Sequence, residues 1–280
     1  MSYHADRPVR CLTIAGSDSS GGAGIQADLK TFAAHGVYGM SVVTAITAQN
    51  TCGVTAVHDI PVDVAAAQLD AVFQDIRPDA VKISMVSNPE LIQAIADRLR
   101  AYRPRVIVLD PVMVSTSGCS LISDGALEKL ASELIPIATL ITPNIPEAEI
   151  LLGRSIAPAE QIEAALALFD RFQVPVLLKG GHFEGEKVDV LADRSGIECF
   201  ALPSVDNPNT HGTGCTLSSA IASGCALAMR GFFVRFEDAL PDGDVLRSVI
   251  REAKRYVSLA ISRRLDIGEG RGPLDHMGYR

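Results

Sequence analysis

The 280-residue chain has no Cys-x-x-Cys pair, no apolar stretch long enough to span a bilayer, and no Gly-x-Gly-x-x-Gly with an acidic residue at dinucleotide spacing. Its six cysteines (Cys11, Cys52, Cys119, Cys199, Cys215 and Cys225) are scattered. That spacing suits neither a zinc site nor a disulfide framework, so a reducing, cytoplasmic setting is expected. The polar start, Met1 to Arg10, lacks the apolar run of a signal peptide. Positive charge is short: 25 Lys and Arg against 33 Asp and Glu give a formal net charge of −8. This argues against a general nucleic-acid or polyanion binder, yet leaves room for a small anion in a local positive pocket. There is no low-complexity linker and no internal repeat, so one domain over residues 1–280 is the simplest expectation.

Apolar residues make up 48% of the chain, enough for a substantial core. Short apolar, β-branched runs alternate with helical patterns. Val9 to Ala15, Ser41 to Ala48, Val54 to Ile60, Ala80 to Ser84, Val106 to Leu109, Thr139 to Thr142 and Pro175 to Leu178 read as strands. Ser41 to Ala48 reads as a central one. Val188 to Ala192 and Ile197 to Ala201 read as a hairpin around Arg194, Ser195 and Gly196. Helices are expected over Ile25 to His35, Val62 to Ile76, Pro89 to Tyr102, Ala126 to Ile135, Pro158 to Phe172, Leu217 to Met229 and Val245 to Arg264. Another opens with Pro146 at its first position and with Glu147 and Glu149 in its first turn. Continuously apolar strands alternating with helices predict an α/β fold: a mainly parallel sheet covered on both faces.

The stretch Asn209 to Thr216 (NTHGTGCT) falls where a helix begins. The first N–H groups of a helix have no internal partner and, with the helix dipole, attract an anion such as a phosphate. Gly212 and Gly214 let that backbone approach a ligand. A thiol at Cys215, in the first turn, is expected to have a lowered pKa. A cysteine nucleophile, a base beside a transferring phosphate, and a plain glycine-rich helix start with a buried cysteine all fit this stretch alone.

In parallel α/β sheets, ligands bind outside the carboxyl ends of the strands. Asp18, Gln49, Asp110, Asn144 with Glu147, Lys179 and the Gly212–Cys215 turn all fall at such ends. Each has a bland explanation: Asp18 can cap a turn, Glu147 can favour a helix N-terminus, and a lysine is usually solvated. Their shared location points instead to one site suited to phosphoryl transfer, which mainly needs positioning and charge neutralisation. Lys179 and a magnesium ion can neutralise phosphates, with Asp110 and Glu147 as the carboxylates for that metal, directly or through water. The Gly212 to Cys215 backbone can hold the transferring group. Cys215 is placed to take the proton of an acceptor hydroxyl.

Together, Ala15–Lys30 (AGSDSSGGAGIQADLK), Thr44–Thr51 (TAITAQNT), Ile141–Glu147 (ITPNIPE), Lys179–His182 (KGGH) and His211–Thr216 (HGTGCT) closely resemble the hydroxymethylpyrimidine/phosphomethylpyrimidine kinases of thiamine biosynthesis. The resemblance runs from about Val9 to the glycine-rich Gly268–Pro273. It implies a ribokinase-like three-layer α/β/α sandwich. It also implies two successive phosphorylations, by ATP with magnesium, of 4-amino-5-hydroxymethyl-2-methylpyrimidine. On the same ground Gln49 binds the aminopyrimidine, Gly16, Ala23 and Met85 lie near the ring, and Asp28, Thr47 and Val112 complete that pocket. Cys215 is the catalytic cysteine, and Gly212, Thr213 and Gly214 form the anion hole. Lys179, Asn144 and Thr116 lie near the ATP phosphates.

A Gln amide can accept from an exocyclic amine and donate to the adjacent ring nitrogen, as it does when it reads adenine. Pyridoxal lacks that edge, so Gln49 disfavours a related pyridoxal kinase. A non-catalytic pyrimidine-binding protein would be expected to have lost Cys215, Lys179 or the acidic positions. The chain departs from the family pattern at Ser19, where proline is usual, and at Ser84, where glycine is usual. The Met229–Gly243 segment is longer than typical and reads as a surface insertion. No fused thiamine-phosphate synthase domain is expected. The resemblance suggests a dimer or larger homo-oligomer, with no membrane or nucleic-acid partner.

Overall fold

The computed structural model describes residues 7–113, 123–180, 187–231 and 243–278. Among the described residues, nine strands form one sheet: β1 (Arg10–Asp18), β2 (Tyr38–Asn50), β3 (Gly53–Asp59), β4 (Ala80–Ile83), β5 (Ile107–Leu109), β6 (Leu140–Ile141), β7 (Val176–Leu178), β8 (Lys187–Asp193) and β9 (Gly196–Leu202), in the order 3-2-1-4-5-6-7-8-9. The pairs from β2 through β1, β4, β5 and β6 to β7 are parallel. The antiparallel pairs lie at the two margins, β2 with β3 and the β7–β8–β9 run.

The helices are α1 (Gly24–Ala34), α2 (Val62–Asp75), α3 (Pro89–Tyr102), α4 (Asp124–Lys129), α5 (Ile145–Leu152), α6 (Gln161–Phe172), α7 (Thr213–Gly231) and α8 (Gly243–Ser262). Strand side chains alternate between faces, and the core divides accordingly. Leu12, Ile14, Val81, Ile83 and Leu109 pack with α2 to α6, whereas Cys11, Ala80 and Val108 pack with α1, α7 and α8. The result is three layers. Among the described residues, no helix is long and apolar enough to cross a membrane.

Several expected boundaries move. β1 runs on through Gly16, Ser17 and Asp18, because Ser17 and Asp18 pair with Ile46 and Thr47 after a register shift. β2 is second from the edge rather than central, since β3 closes that margin. Asn144 caps α5, so Ile145 takes the first helical position, Pro146 the second, and Glu149 falls past the first turn. Beyond α4, a π turn (Leu130–Leu134) and a 3-10 turn (Ile135–Ile137) continue the segment. α7 begins at Thr213, four residues before the apolar run at Leu217, with the Thr216 N–H donating to the Gly212 carbonyl at 2.8 Å. Residues 232–242 of the Met229–Gly243 segment lie outside the described residues.

Candidate active site

The carboxyl ends of β1, β2, β5 and β7 reach the start of α7. Gly212 there has φ +82°, and a Cβ on it would lie 1.9 Å from the Gly22 carbonyl oxygen. Only glycine fits, and the β1–α1 loop therefore sits directly on the helix start. A Cβ on Gly214 would lie 3.4 Å from both Lys179 Nζ and Asp110 Oδ2. The lysine and the carboxylate thus stand over the first turn of α7, and they pair at 2.7 Å.

Asp110 is buried and also accepts from the Thr142 hydroxyl at 3.1 Å. Burial alone would raise its pKa, but Lys179 and Lys82 outweigh it and keep the carboxylate ionised. Glu147 is the third residue of α5, in a capping box. Asn144 Oδ1 accepts the Glu147 N–H at 2.9 Å, and Glu147 Oε2 accepts the Asn144 N–H at 2.7 Å. Burial pushes the Glu147 carboxyl up to about 7, with Lys179 opposing. Lys179 itself is raised: burial opposes its charge, but Asp110 and Glu147 hold it.

Two expectations fail here. The thiol of Cys215 is raised rather than lowered. Burial dominates, and the opposing effect of Lys82 and of a hydrogen bond from the Gly24 N–H does not overcome it. Asp28 lies beneath the site and faces no open pocket. It is fully buried and accepts from Lys82 Nζ at 2.9 and 2.8 Å, from Thr13 at 2.6 Å and from Ser219 at 2.7 Å. These four bonds use the roughly four acceptor positions of a carboxylate.

At the other end, Gly16 and Met85 adjoin, a Cβ on Gly16 lying 3.4 Å from Met85 Sδ. Val112 is half-buried just beyond β5. Gln49 is the penultimate residue of β2, and the Ser19 hydroxyl ties its backbone, donating to the Gln49 carbonyl at 2.7 Å and accepting the Gln49 N–H at 2.8 Å. The ends of the Gln49 amide lie 3.0 Å from Thr47 Oγ1 and 3.2 Å from His211 Nε2. His211 Nε2 is in turn 2.8 Å from Asp18 Oδ2. Asp18 also accepts N–H groups of Ser20, Gly22 and Ala23. Burial would raise the Asp18 pKa, but the bonds from His211, Ser20 and Ala23 outweigh it and hold it at about 2.

Residues 266–278 tie the two ends together. The Gly270 N–H donates to Thr51 Oγ1 at 3.1 Å, the Gly272 N–H to Asn209 Oδ1 at 3.1 Å, and Asn209 Nδ2 to Asp266 at 2.7 Å. The His211 N–H reaches the Gly272 carbonyl at 3.2 Å, and His276 meets the Thr216 hydroxyl at 2.9 Å.

The structure therefore brings together Gly16, Ala23, Thr47, Gln49 and Met85 on one side, and Lys179, Asp110, Glu147, Asn144 and Gly212 to Cys215 on the other. Thr116 lies outside the described residues, as do Gly181 and His182. Sequence reasoning gave no role to His211, Lys82 or the Ser19 hydroxyl. His211 sits inside the glycine motif, but its partner Asp18 is 193 positions away.

A profile of the phosphomethylpyrimidine kinase family matches residues 18–232. The hydroxymethylpyrimidine/phosphomethylpyrimidine kinase of Rhizobium meliloti is 49% identical over 270 residues, covering 95% of this chain and 96% of that protein. The bifunctional thiamine biosynthesis protein ThiED of Geobacter sulfurreducens is 49% identical over 268 residues; the match spans 95% of this chain but only 52% of that protein. Among solved structures, the phosphomethylpyrimidine kinase of Clostridium difficile is similar at TM-score 0.74 and 44% identity, covering 90% of this chain and 99% of that one. An ADP complex of Bacillus subtilis pyridoxal kinase is similar at TM-score 0.82 and 33% identity, covering 96% and 98%.

Proposed function

The chain belongs to the phosphomethylpyrimidine kinase family, and from that premise we propose that it phosphorylates 4-amino-5-hydroxymethyl-2-methylpyrimidine and then its monophosphate, for thiamine biosynthesis. It is an ATP-using kinase with the ribokinase-like α/β fold. The observation that carries the reading is the convergence at Gly214. There a helix N-terminus, Lys179 and Asp110 meet beside Cys215, and the β1–α1 loop joins that point to Gln49.

The backbone of Gly212, Thr213 and Gly214 holds the transferring phosphoryl, with the dipole of α7 favouring its charge. Lys179 neutralises phosphate oxygens, and Asn144 orders the neighbouring turn. Gln49 reads the aminopyrimidine edge, with Gly16, Ala23, Thr47, Met85 and Val112 around the ring. Cys215 accepts the proton of the hydroxymethyl group as that oxygen attacks phosphorus.

Asp110 and Glu147 suit a magnesium ion, because both are carboxylates around the same lysine and such an ion usually keeps several waters. They would hold it directly or through water, and it would supply charge neutralisation on the phosphates. We further propose one domain over the chain, a cytoplasmic setting and a homo-oligomer, a dimer or larger. The exposed apolar residues Ile46, Val54 and Val57 on β2 and β3 support the association.

An ATP-dependent assay with hydroxymethylpyrimidine, its monophosphate and pyridoxal tests the reading. Turnover of both pyrimidines and little of pyridoxal is expected; preference for pyridoxal would overturn it. Gln49→Ala is expected to raise the pyrimidine KM far more than that of ATP. Cys215→Ala is expected to fold but to lose about 10²–10⁴ of turnover, the usual contribution of a positioned base.

A further inference from the structure

His211 touches Asp18 and Gln49 through one nitrogen. Asp18 is ionised and can only accept, so His211 Nε2 must carry a hydrogen, whatever the charge of the ring. An amide NH2 facing that N–H would set donor against donor at 3.2 Å. Thr47 leads independently to the same conclusion. Its single hydroxyl hydrogen has a carbonyl acceptor in Ser17 at 2.9 Å, so it cannot also donate to a Gln49 oxygen at 3.0 Å. Oxygen and nitrogen of an amide have nearly the same shape, and the hydrogen-bond network decides between them. With the carbonyl toward His211 and the NH2 toward Thr47, every group is satisfied. Asp18 and the Gln49 carbonyl share the His211 hydrogen, Gln49 donates to Thr47, and Thr47 donates to Ser17.

We propose that His211, held by Asp18, is a positioning residue that locks the Gln49 amide in this single orientation and thereby makes the pocket select a 4-amino over a 4-oxo pyrimidine. The proposal rests on the assignment of Gln49 to the pyrimidine. A locked amide presents its remaining lone pair and its remaining hydrogen in fixed order. That order suits an exocyclic amine beside a bare ring nitrogen. A 4-oxo pyrimidine inverts both groups, with a carbonyl beside a ring N–H, and needs the amide turned over. Turning it would set the NH2 against His211 and leave Thr47 with two acceptors for one hydrogen. Ser19 holds the Gln49 backbone through both of its polar groups, so the amide is presented from a fixed stem. His211 is itself clamped, because a Cβ on Gly22 would lie 2.4 Å from its Cδ2.

His211→Ala removes the donor. Asp18 keeps its bonds from Ser20, Gly22 and Ala23. His211→Gln, whose amide nitrogen can reach the position of Nε2, is the conservative rescue. In His211→Ala the kcat/KM ratio of the 4-amino to the 4-oxo substrate is expected to fall about tenfold, the effect of one hydrogen bond. The KM for ATP should stay within about twofold, and His211→Gln should restore most of the ratio. In a Gln49→Ala background, His211→Ala should add nothing, because it acts through that amide.

An unchanged ratio in His211→Ala, or a double variant whose loss is the product of the singles, would overturn the positioning role while leaving Gln49 in the pocket. If Gln49→Ala alone left the pyrimidine KM unchanged, the substrate assignment would fail and the selectivity role with it. A neutron structure of the unliganded wild type reads the orientation directly, even if His211→Ala does not fold. Deuterons on the Thr47 side of the amide are expected, and deuterons facing His211 would refute the lock.

Discussion

Cys215 shows how burial and charge compete at one side chain. Its place in the first turn of α7 promised a ready thiolate, but the sulfur is enclosed and Lys82 does not offset that cost. As the base it must be deprotonated, so kcat is expected to climb as pH rises from neutral toward the thiol pKa, which lies above the ordinary 9.0. A flat profile across that range would remove Cys215 from the role. Glu147 titrates in the opposite sense. Its carboxyl moves from 4.5 in a free chain to about 7 in the fold. Between those values the folded state holds a proton that the unfolded chain has lost, so stability falls as pH rises through this window. Glu147→Gln should flatten that stretch of a Tm-against-pH curve while keeping an acceptor for the Asn144 N–H. The identity of these residues and their clustering at strand ends were legible in the sequence. Their protonation was not, because it depends on enclosure by segments far away in the chain.

Among elements, β4 is the most telling. Its four residues are all buried, and the charged one, Lys82, lies fully enclosed against Asp28 of α1. Ser219 of α7 and Thr13 of β1 complete that cluster. A buried pair adds little to stability in itself, but removing one partner strands the other. Lys82→Met is therefore expected to cost about 3–5 kcal/mol in denaturant unfolding. A loss below about 1 kcal/mol would mean that water reaches Asp28. In the sequence, Lys82 reads only as an interruption of an apolar strand, since nothing local shows Asp28 opposite. Elements with local signals are legible: Asn88 before Pro89 caps α3, and Gly196 turns the β8–β9 hairpin. The end of β1 is not legible locally, because Ser17 and Asp18 are turn residues by type, and only their pairing with Ile46 and Thr47 keeps them in the strand.

For the whole molecule, the alternation of apolar strands with helices was enough to predict a mainly parallel sheet between two helical layers. Which strands would border the sheet was not legible, because strand order is fixed by crossovers and not by local pattern. The β2–β3 margin leaves Ile46 50%, Val54 40% and Val57 48% exposed. Light scattering is expected to give at least twice the 29.7 kDa chain mass for the wild type and the single mass for Val57→Asp; a monomeric wild type would set the association aside. The segment from Asp266 to His276 has a further consequence, for the order in which the molecule forms. Its hydrogen bond to Thr51 joins residues 219 positions apart, and the Asp18–His211 contact joins residues 193 apart. Such long loops close late, after the sheet has drawn their ends together. On a ribosome, the sheet and most of the helices can assemble while the pocket is still open. A chain cut before Asp266 is expected to lose the ties at Thr51, Asn209 and Thr216 that join the two ends of the site, and its turnover measures what they contribute.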